Sequence, residues 1–141
     1  MKLNIKKIII ASLLVWIIGT VITWLTCGWL FQWVYTLPPV SLWKSSEAMA
    51  NPVNVILGAL IGLIVAFLFV AIYAVIQKAI SGKGYRKGMR YGLIVWLIGS
   101  LSGLLGLPLY MNISPVVVVY WIIQALVVNL INGAVVGVVY K

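Results

Sequence analysis

The chain has 141 residues, of which 65% are hydrophobic and 8% are charged. A soluble domain of this size carries about a quarter charged residues, so these proportions indicate a protein whose solvent is lipid. The net charge is +9, with no histidine and a single acidic residue, Glu47. Because the basic residues flank apolar runs, they indicate membrane topology and contacts to anionic lipid, and we expect no nucleic-acid partner.

Side chains that carry catalysis or bind metals are almost missing from the sequence. Without histidine, the usual general base and the common axial ligand of haem are lacking. Cys27 is the only cysteine and Glu47 the only acidic residue, so metal clusters and carboxylate proton relays cannot be assembled. We therefore expect no enzymatic activity and no cofactor.

Four apolar stretches are long enough to cross a membrane as helices. None of them contains Asp, Glu, Lys or Arg, and the first is too long for the core of a signal peptide, so we expect it to be retained. The predicted spans are Ile8 to Phe31, Val53 to Ile76, Tyr91 to Leu107 and Val116 to Val139, with outer loops 32–52 and 108–115 and an inner basic loop 77–90. The sequence thus predicts an all-α, four-helix integral membrane bundle that forms one domain over residues 1–141.

Lysine and arginine are distributed unequally between the two ends of these predicted helices. Only Lys44 falls at one end, and the other end holds Lys2, Lys6, Lys7, Lys78, Lys83, Arg86, Lys87, Arg90 and Lys141. By the positive-inside rule, both termini and the basic loop are expected to be cytoplasmic. The basic loop residues Lys83, Arg86, Lys87 and Arg90 are expected to contact anionic headgroups, and a docking patch for an acidic protein is the alternative.

One stretch occurs twice, 80 residues apart. Residues 5–21 read IKKIIIASLLVWIIGTV and residues 85–101 read YRKGMRYGLIVWLIGSL. An even number of spans separates the copies, so both would point the same way across the membrane. The sequence therefore predicts two helical hairpins related as a parallel repeat, rather than the inverted repeat of many transporters.

The repeated stretch carries a stripe of small residues next to a tryptophan. Trp16 and Gly19 in the first span correspond to Trp96 and Gly99 in the third, and Gly103 continues the stripe. Because lipid gives helices little hydrophobic drive to pair, small residues at helix contacts have to supply it. We therefore predict that the first and third spans face each other.

Two pairs of glycines spaced by four residues lie in the remaining spans. These are Gly58 with Gly62 and Gly133 with Gly137. This spacing favours close helix crossings. Each pair is expected to serve either packing within the chain or self-association.

Polar, non-ionisable residues lie inside the predicted spans, among them Thr23, Ser100, Gln124, Asn129 and Asn132. Carboxamides are costly in lipid and are expected to face other helices. Two readings remain: hydrogen bonds between helices, or a polar lining for a small neutral solute or water.

The chain resembles a broad set of small four-helix membrane proteins of prokaryotes, of the kind described as domains of unknown function. The residues that carry this resemblance are Gly28-Trp29-Leu30-Phe31, Lys87-Gly88, Tyr91-Gly92, Ile131-Asn132-Gly133 and Tyr140-Lys141. The resemblance implies a four-helix fold in the plasma (inner) membrane and brings no activity.

We expect a non-enzymatic, multi-pass membrane protein that is a structural or accessory subunit, packing against itself or another membrane protein. One alternative is a small channel or passive transporter for a small neutral or ionic solute, and another is a lipid-binding or immunity-type protein that acts through the basic loop and the outer turns. Four helices leave little room for an internal pore, so the channel alternative requires an oligomer.

Overall fold

The computed structural model describes residues 4–140. Within this part of the chain there is no strand, and four helices are long and apolar enough to cross a membrane, which confirms the predicted all-helical class. The first to fourth spans are Ile5–Leu30, Pro52–Ala79, Gly84–Tyr110 and Pro115–Val139. Lys2 and Lys141, which contributed to the predicted orientation, lie outside the described residues.

Only the fourth span is a regular α-helix over its whole length. The first is α-helical over Ile5–Leu25 and π-helical over Thr26–Leu30, and the second is α-helical over Pro52–Ile76 with a 3₁₀ turn at Gln77–Ala79. The third consists of α-helix Gly84–Val95, π-helix Trp96–Leu101 and short α-helices Ser102–Leu105 and Leu107–Tyr110. The first outer connection contains 3₁₀ turns Gln32–Thr36 and Val40–Leu42 and helix Ser46–Ala50.

Side-chain capping marks the start of the first and second spans. The side chain of Asn4 accepts a hydrogen bond from the backbone N–H of Lys7, and that of Asn51 accepts one from Val53. Proline occupies the first position of the second and fourth spans, where its missing N–H leaves no helical bond unmade. Proline does not end the preceding helices, because the first span ends at Leu30, before Pro38, and Pro108 lies within the helix Leu107–Tyr110.

The third span begins at Gly84, earlier than the predicted start at Tyr91. Residues 84–90 of the predicted basic loop are therefore helical, and Arg86 and Lys87 lie on this helix. The reason is a close contact: Gly84, Gly88 and Gly92 meet the backbone of the fourth span. Packing of these glycines stabilises a helical turn that the charged sequence does not indicate.

The main contact of the fold joins the third and fourth spans, while the first span packs against the second and the fourth. The predicted pairing of the first and third spans is wrong. Trp96, expected to face the first span, instead donates a hydrogen bond from its indole nitrogen to the backbone oxygen of Ile122 in the fourth span, at 2.9 Å. The fourth span thus occupies the position beside Trp96 that the first span was predicted to occupy.

The two copies of the repeated stretch differ in local structure. Trp16 and Gly19 lie in regular α-helix, whereas Trp96 and Gly99 lie in a π-helical segment. The hydroxyl of Ser102 donates hydrogen bonds to the backbone oxygens of Leu97 and Ile98. These bonds cap the π-helical turn, which is wider than a turn of α-helix. Sequence similarity at these positions therefore does not lead to the same helix geometry.

Two apolar clusters hold the helices together, one at each end. The cluster near the chain termini contains residues of all four spans: Ile8, Ala11, Val15, Ala66, Val70, Tyr73, Ala74, Tyr91 and Val136. The cluster at the opposite end joins the first outer connection to the fourth span through Val34, Ile113, Val117 and Val118. The second span contributes only to the first cluster, so its other half is not held by either.

Candidate functional site

A lateral cleft lies between the first, second and fourth spans. Its volume is about 350 Å³. The residues that line it are Val15, Trp16, Gly19, Thr20, Thr23, Gly62, Val65, Ala66, Phe69, Val128, Asn129 and Asn132. Thr20, Thr23 and Val65 are exposed, so the cleft opens sideways rather than toward either end of the bundle.

The cleft exists because the second span is anchored at only one end. Its C-terminal half is buried at Ala66, Val70, Tyr73 and Ala74, whereas residues 51–61 are all exposed. No atom lies within 4 Å of the position that a Cβ on Gly58 would occupy. The N-terminal half of this helix therefore diverges from the neighbouring helices, and the space between them is the cleft.

Asn132 supplies the most polar part of the cleft wall. Its carboxamide nitrogen lies 3.2 Å from the position that a Cβ on Gly19 would take, so glycine at this position is what lets the two helices approach. The carboxamide oxygen is buried and has no hydrogen-bond partner. In a membrane, such an unpaired acceptor is unfavourable.

Trp16 also lines the cleft and packs against the second span. Its indole nitrogen is 3.3 Å from the position of a Cβ on Gly62. One glycine of the pair Gly58 and Gly62 is therefore used for packing within the chain, against Trp16, and the other is not. The indole N–H adds a hydrogen-bond donor to a cleft whose second-span wall is otherwise apolar.

The other predicted polar residues join helices instead of forming a separate pore. The Asn129 side-chain nitrogen donates to the backbone oxygen of Ala125 at 2.8 Å and to the hydroxyl of Ser100 at 3.5 Å. Gln124 donates from its side chain to the hydroxyls of Thr23 and Thr26, each at 3.4 Å. Of the predicted lining, Thr23, Asn129 and Asn132 reach the cleft, and Ser100 and Gln124 lie behind it.

An aromatic cluster closes the contact between the first and fourth spans at the end away from the chain termini. The Trp121 indole donates to the hydroxyl of Tyr35 at 2.9 Å, and the Tyr120 hydroxyl donates to the sulfur of Cys27 at 3.4 Å. Trp43 packs edge-on against Trp121, with ring centroids 5.8 Å apart. Burial raises the pKa of the Tyr35 phenol, and the hydrogen bond from Trp121 opposes this rise.

The glycines divide into two groups by what surrounds them. Gly133 and Gly137 touch the backbone of Gly84, Gly88 and Gly92, so this predicted pair packs within the chain. Gly58, Gly99 and Gly103 have no atom within 4 Å of a built Cβ, so the predicted packing role of Gly99 and Gly103 against the first span is wrong. The sequence reading missed Gly84, Gly88 and Gly92, although their spacing of four was a detectable signal.

The basic residues lie at the end of the bundle where the described chain begins and ends. Lys83, Arg86 and Arg90 are exposed and Lys87 is half-buried. Arg90 is held by the backbone oxygen and the hydroxyl of Ser81. Near them, the Lys7 ammonium lies 6.0 Å from the ring centroid of Tyr140. A cationic rim therefore surrounds one end of the four helices.

The cleft can bind a ligand through neutral groups. None of its lining residues is ionisable, and the residues described here contain no group of three His, Cys, Asp or Glu side chains that could hold a metal ion. Comparison of the chain with known protein families, with curated proteins and with solved structures finds no match.

Proposed function

We propose that the protein is a non-enzymatic membrane subunit that associates with a second copy of itself through the outer half of its second span. The observation that carries this proposal is Gly58. It lies in a helix segment whose residues are all exposed, with empty space where its side chain would be. Twofold pairing is the commonest symmetry of homo-oligomers, and Gly58 would lie at the axis.

The unfavourable helix propensity of glycine gives a reason to expect a partner helix at Gly58. Glycine inside a helix is about 0.5–1 kcal/mol less favourable than alanine. Where Gly88 and Gly133 occur, the neighbouring backbone leaves no room for a Cβ, whereas nothing in the fold requires glycine at Gly58. A second helix packed against Gly58 would use the absent side chain for close backbone approach.

The orientation and location belong to the same proposal. The cationic rim supports an arrangement in which both termini and the connection 80–83 are cytoplasmic, in the plasma membrane of a prokaryote. Lys83, Arg86, Lys87 and Arg90 would then contact anionic headgroups. The two hairpins would be parallel copies of one ancestral unit, as the repeated stretch indicates, with different packing in each.

The test is the mass of the detergent-extracted protein with leucine at Gly58. Because the monomer has open space there, Gly58→Leu should fold normally and lose the oligomer. Ala59→Leu is the matched control, since Ala59 is equally exposed at the same depth but about 100° around the helix. An oligomer of unchanged mass in Gly58→Leu would contradict the proposal, as would a monomeric unsubstituted protein in native membrane fragments.

A second candidate function is passage of a small neutral solute, and one observation favours it. Polar side chains follow the contact between the first and fourth spans, from Asn132 through Asn129, Gln124 and Thr23 toward Cys27. Most are bonded to each other, so a path would need an oligomer or helix movement. Solute flux into liposomes that is lost with Asn129→Leu and Asn132→Leu would support this function, and no flux would exclude it.

A further inference from the structure

We infer that the cleft between the first, second and fourth spans binds a small, neutral, lipid-soluble molecule that has an apolar body and one hydroxyl group. The molecule would enter sideways from the membrane. This inference does not rest on self-association, because every residue of the cleft belongs to one copy of the chain.

The depth of the cleft restricts what can fill it. Its lining residues come from the middle of the helices: 15–23 within Ile5–Leu30, 62–69 within Pro52–Ala79, and 128–132 within Pro115–Val139. The hydrocarbon core is about 30 Å thick, so the headgroup of an ordinary phospholipid stays about 15 Å away. A molecule that brings a polar group to this depth has to dissolve as a whole in the membrane.

The polar groups of the cleft define what that molecule must offer. The carboxamide oxygen of Asn132 lacks a donor. A half-turn of the carboxamide exchanges oxygen and nitrogen without changing its shape, so either can face the cleft. Trp16 contributes an indole N–H over Gly62. A hydroxyl is the smallest group that can donate to the Asn132 oxygen and accept from a nitrogen of the wall.

Charge, size and wall chemistry agree with this class of ligand. No lining residue is ionisable, so an ion would be left unpaired. The volume of about 350 Å³ is in the usual range of small-molecule sites. Water alone would not fill the cleft, because each molecule needs two to four polar partners and the second-span wall, with Val65 and Phe69, offers none.

The experiment uses the full chain in nanodiscs and a photoreactive probe, a medium-chain alcohol with a diazirine on its alkyl chain. Its methyl ether, which cannot donate a hydrogen bond, is the matched control probe. After illumination, mass spectrometry maps the labelled residues, with and without excess 1-octanol. We expect saturable labelling of Val65 and Phe69 by the alcohol, which excess 1-octanol reduces. The ether should need about tenfold higher concentration for the same labelling, the factor that one hydrogen bond supplies.

Two variants test the site itself. Asn132→Leu keeps the size of the side chain and removes its polarity, so labelling by the alcohol should fall to the level of the ether. Val65→Trp fills the cleft from its exposed edge, where Val65 is 58% exposed, and should abolish labelling without disturbing the core. Ile72→Trp is the matched control on the same helix, exposed but not part of the cleft.

Several outcomes would overturn the inference. These are equal labelling by alcohol and ether, labelling that excess octanol does not reduce, full labelling of Asn132→Leu, or labels confined to residues outside the cleft. The measurement is repeated in Gly58→Leu, in which the proposed contact between copies is removed. Retained labelling there would separate the binding site from self-association, and labelling found only in the oligomer would contradict a site within one copy.

Discussion

Gly88 of the third span and Gly133 of the fourth are in direct backbone contact. A Cβ built on Gly88 would lie 2.7 Å from the carbonyl carbon of Gly133 and 2.8 Å from the amide nitrogen of Gly137. Gly88 and its neighbours Gly84 and Gly92 repeat this contact along the helix. The tightest association in the molecule thus begins in a segment that its charge alone would assign to a loop.

This contact predicts opposite effects for two glycine substitutions. Gly88→Ala should lower the free energy of unfolding by about 2–3 kcal/mol, because the added methyl group meets backbone atoms that cannot move aside. Gly99→Ala should be neutral or stabilise by up to about 1 kcal/mol, since nothing lies near its Cβ and alanine favours a helix. The two values can be measured by circular dichroism during SDS titration. Similar losses of stability in both variants would contradict the described packing.

The two asparagines of the cleft should respond differently to leucine. Asn132→Leu should raise the free energy of unfolding by about 1 kcal/mol, because a buried acceptor without a partner is removed. Asn129→Leu should lower it by about 0.5–1 kcal/mol, since its side-chain nitrogen loses its bonds to Ala125 and Ser100. Chemical denaturation in micelles compares them. A clear loss of stability in Asn132→Leu would mean that its oxygen has a partner.

Tyr91 connects the second and third spans, and its loss should loosen the second. Its hydroxyl donates to the backbone oxygen of Phe69 at 2.6 Å, and its ring is 1% exposed. Tyr91→Phe keeps the ring and removes the hydrogen bond, so we expect a loss of about 1 kcal/mol and faster amide exchange in residues 62–76. Tyr85→Phe is the control, because Tyr85 is exposed. Unchanged exchange in Tyr91→Phe would argue that the apolar cluster alone holds the second span.

Ionisation of Tyr35 should weaken the outer end of the fold at high pH. Burial raises the pKa of this phenol above its ordinary value of about 10. Above that pH the unfolded chain releases a proton that the folded chain keeps, so the free energy of unfolding falls as pH rises, and it is unaffected below. Thermal unfolding between pH 8 and about 11 tests this prediction.

The Tyr35→Phe variant serves as the comparison for this pH series. It should be about 1 kcal/mol less stable at pH 8, because the Trp121 indole loses its acceptor, and it should show a shallower decline above pH 10. Tyr110→Phe, at an exposed position, should behave as the unsubstituted protein. Parallel declines in the Tyr35→Phe and unsubstituted proteins would contradict the assigned burial of Tyr35.

The sequence predicted the helices well because apolar length alone determines a membrane span. All four spans occur within a few residues of the predicted positions, apart from the start of the third. That start was missed because Arg86, Lys87 and Arg90 dominate the local composition. Gly84, Gly88 and Gly92 carry the contact, and their partners in the fourth span, Gly137, Gly133 and Asn129, are distant in sequence.

Helix neighbours were harder to predict than helices. The stripe around Trp16 and Trp96 has the pattern expected for a helix contact, but a pattern does not specify its partner. Asn132 illustrates the same limit. Its polarity indicated that it faces other helices, but the cleft beside it exists because the second span diverges from the first and fourth. That divergence results from the two apolar clusters, whose members are distant in sequence.

The central claim, association of two copies through Gly58, is tested most directly by disulfide cross-linking in native membranes. Cys27→Ser removes the one native thiol. In that background, Gly58→Cys should form a covalent dimer rapidly with a membrane-permeant oxidant. Ile56→Cys, equally exposed but on the opposite face of the helix, should remain a monomer. Equal cross-linking of both variants, or none in Gly58→Cys, would contradict the claim.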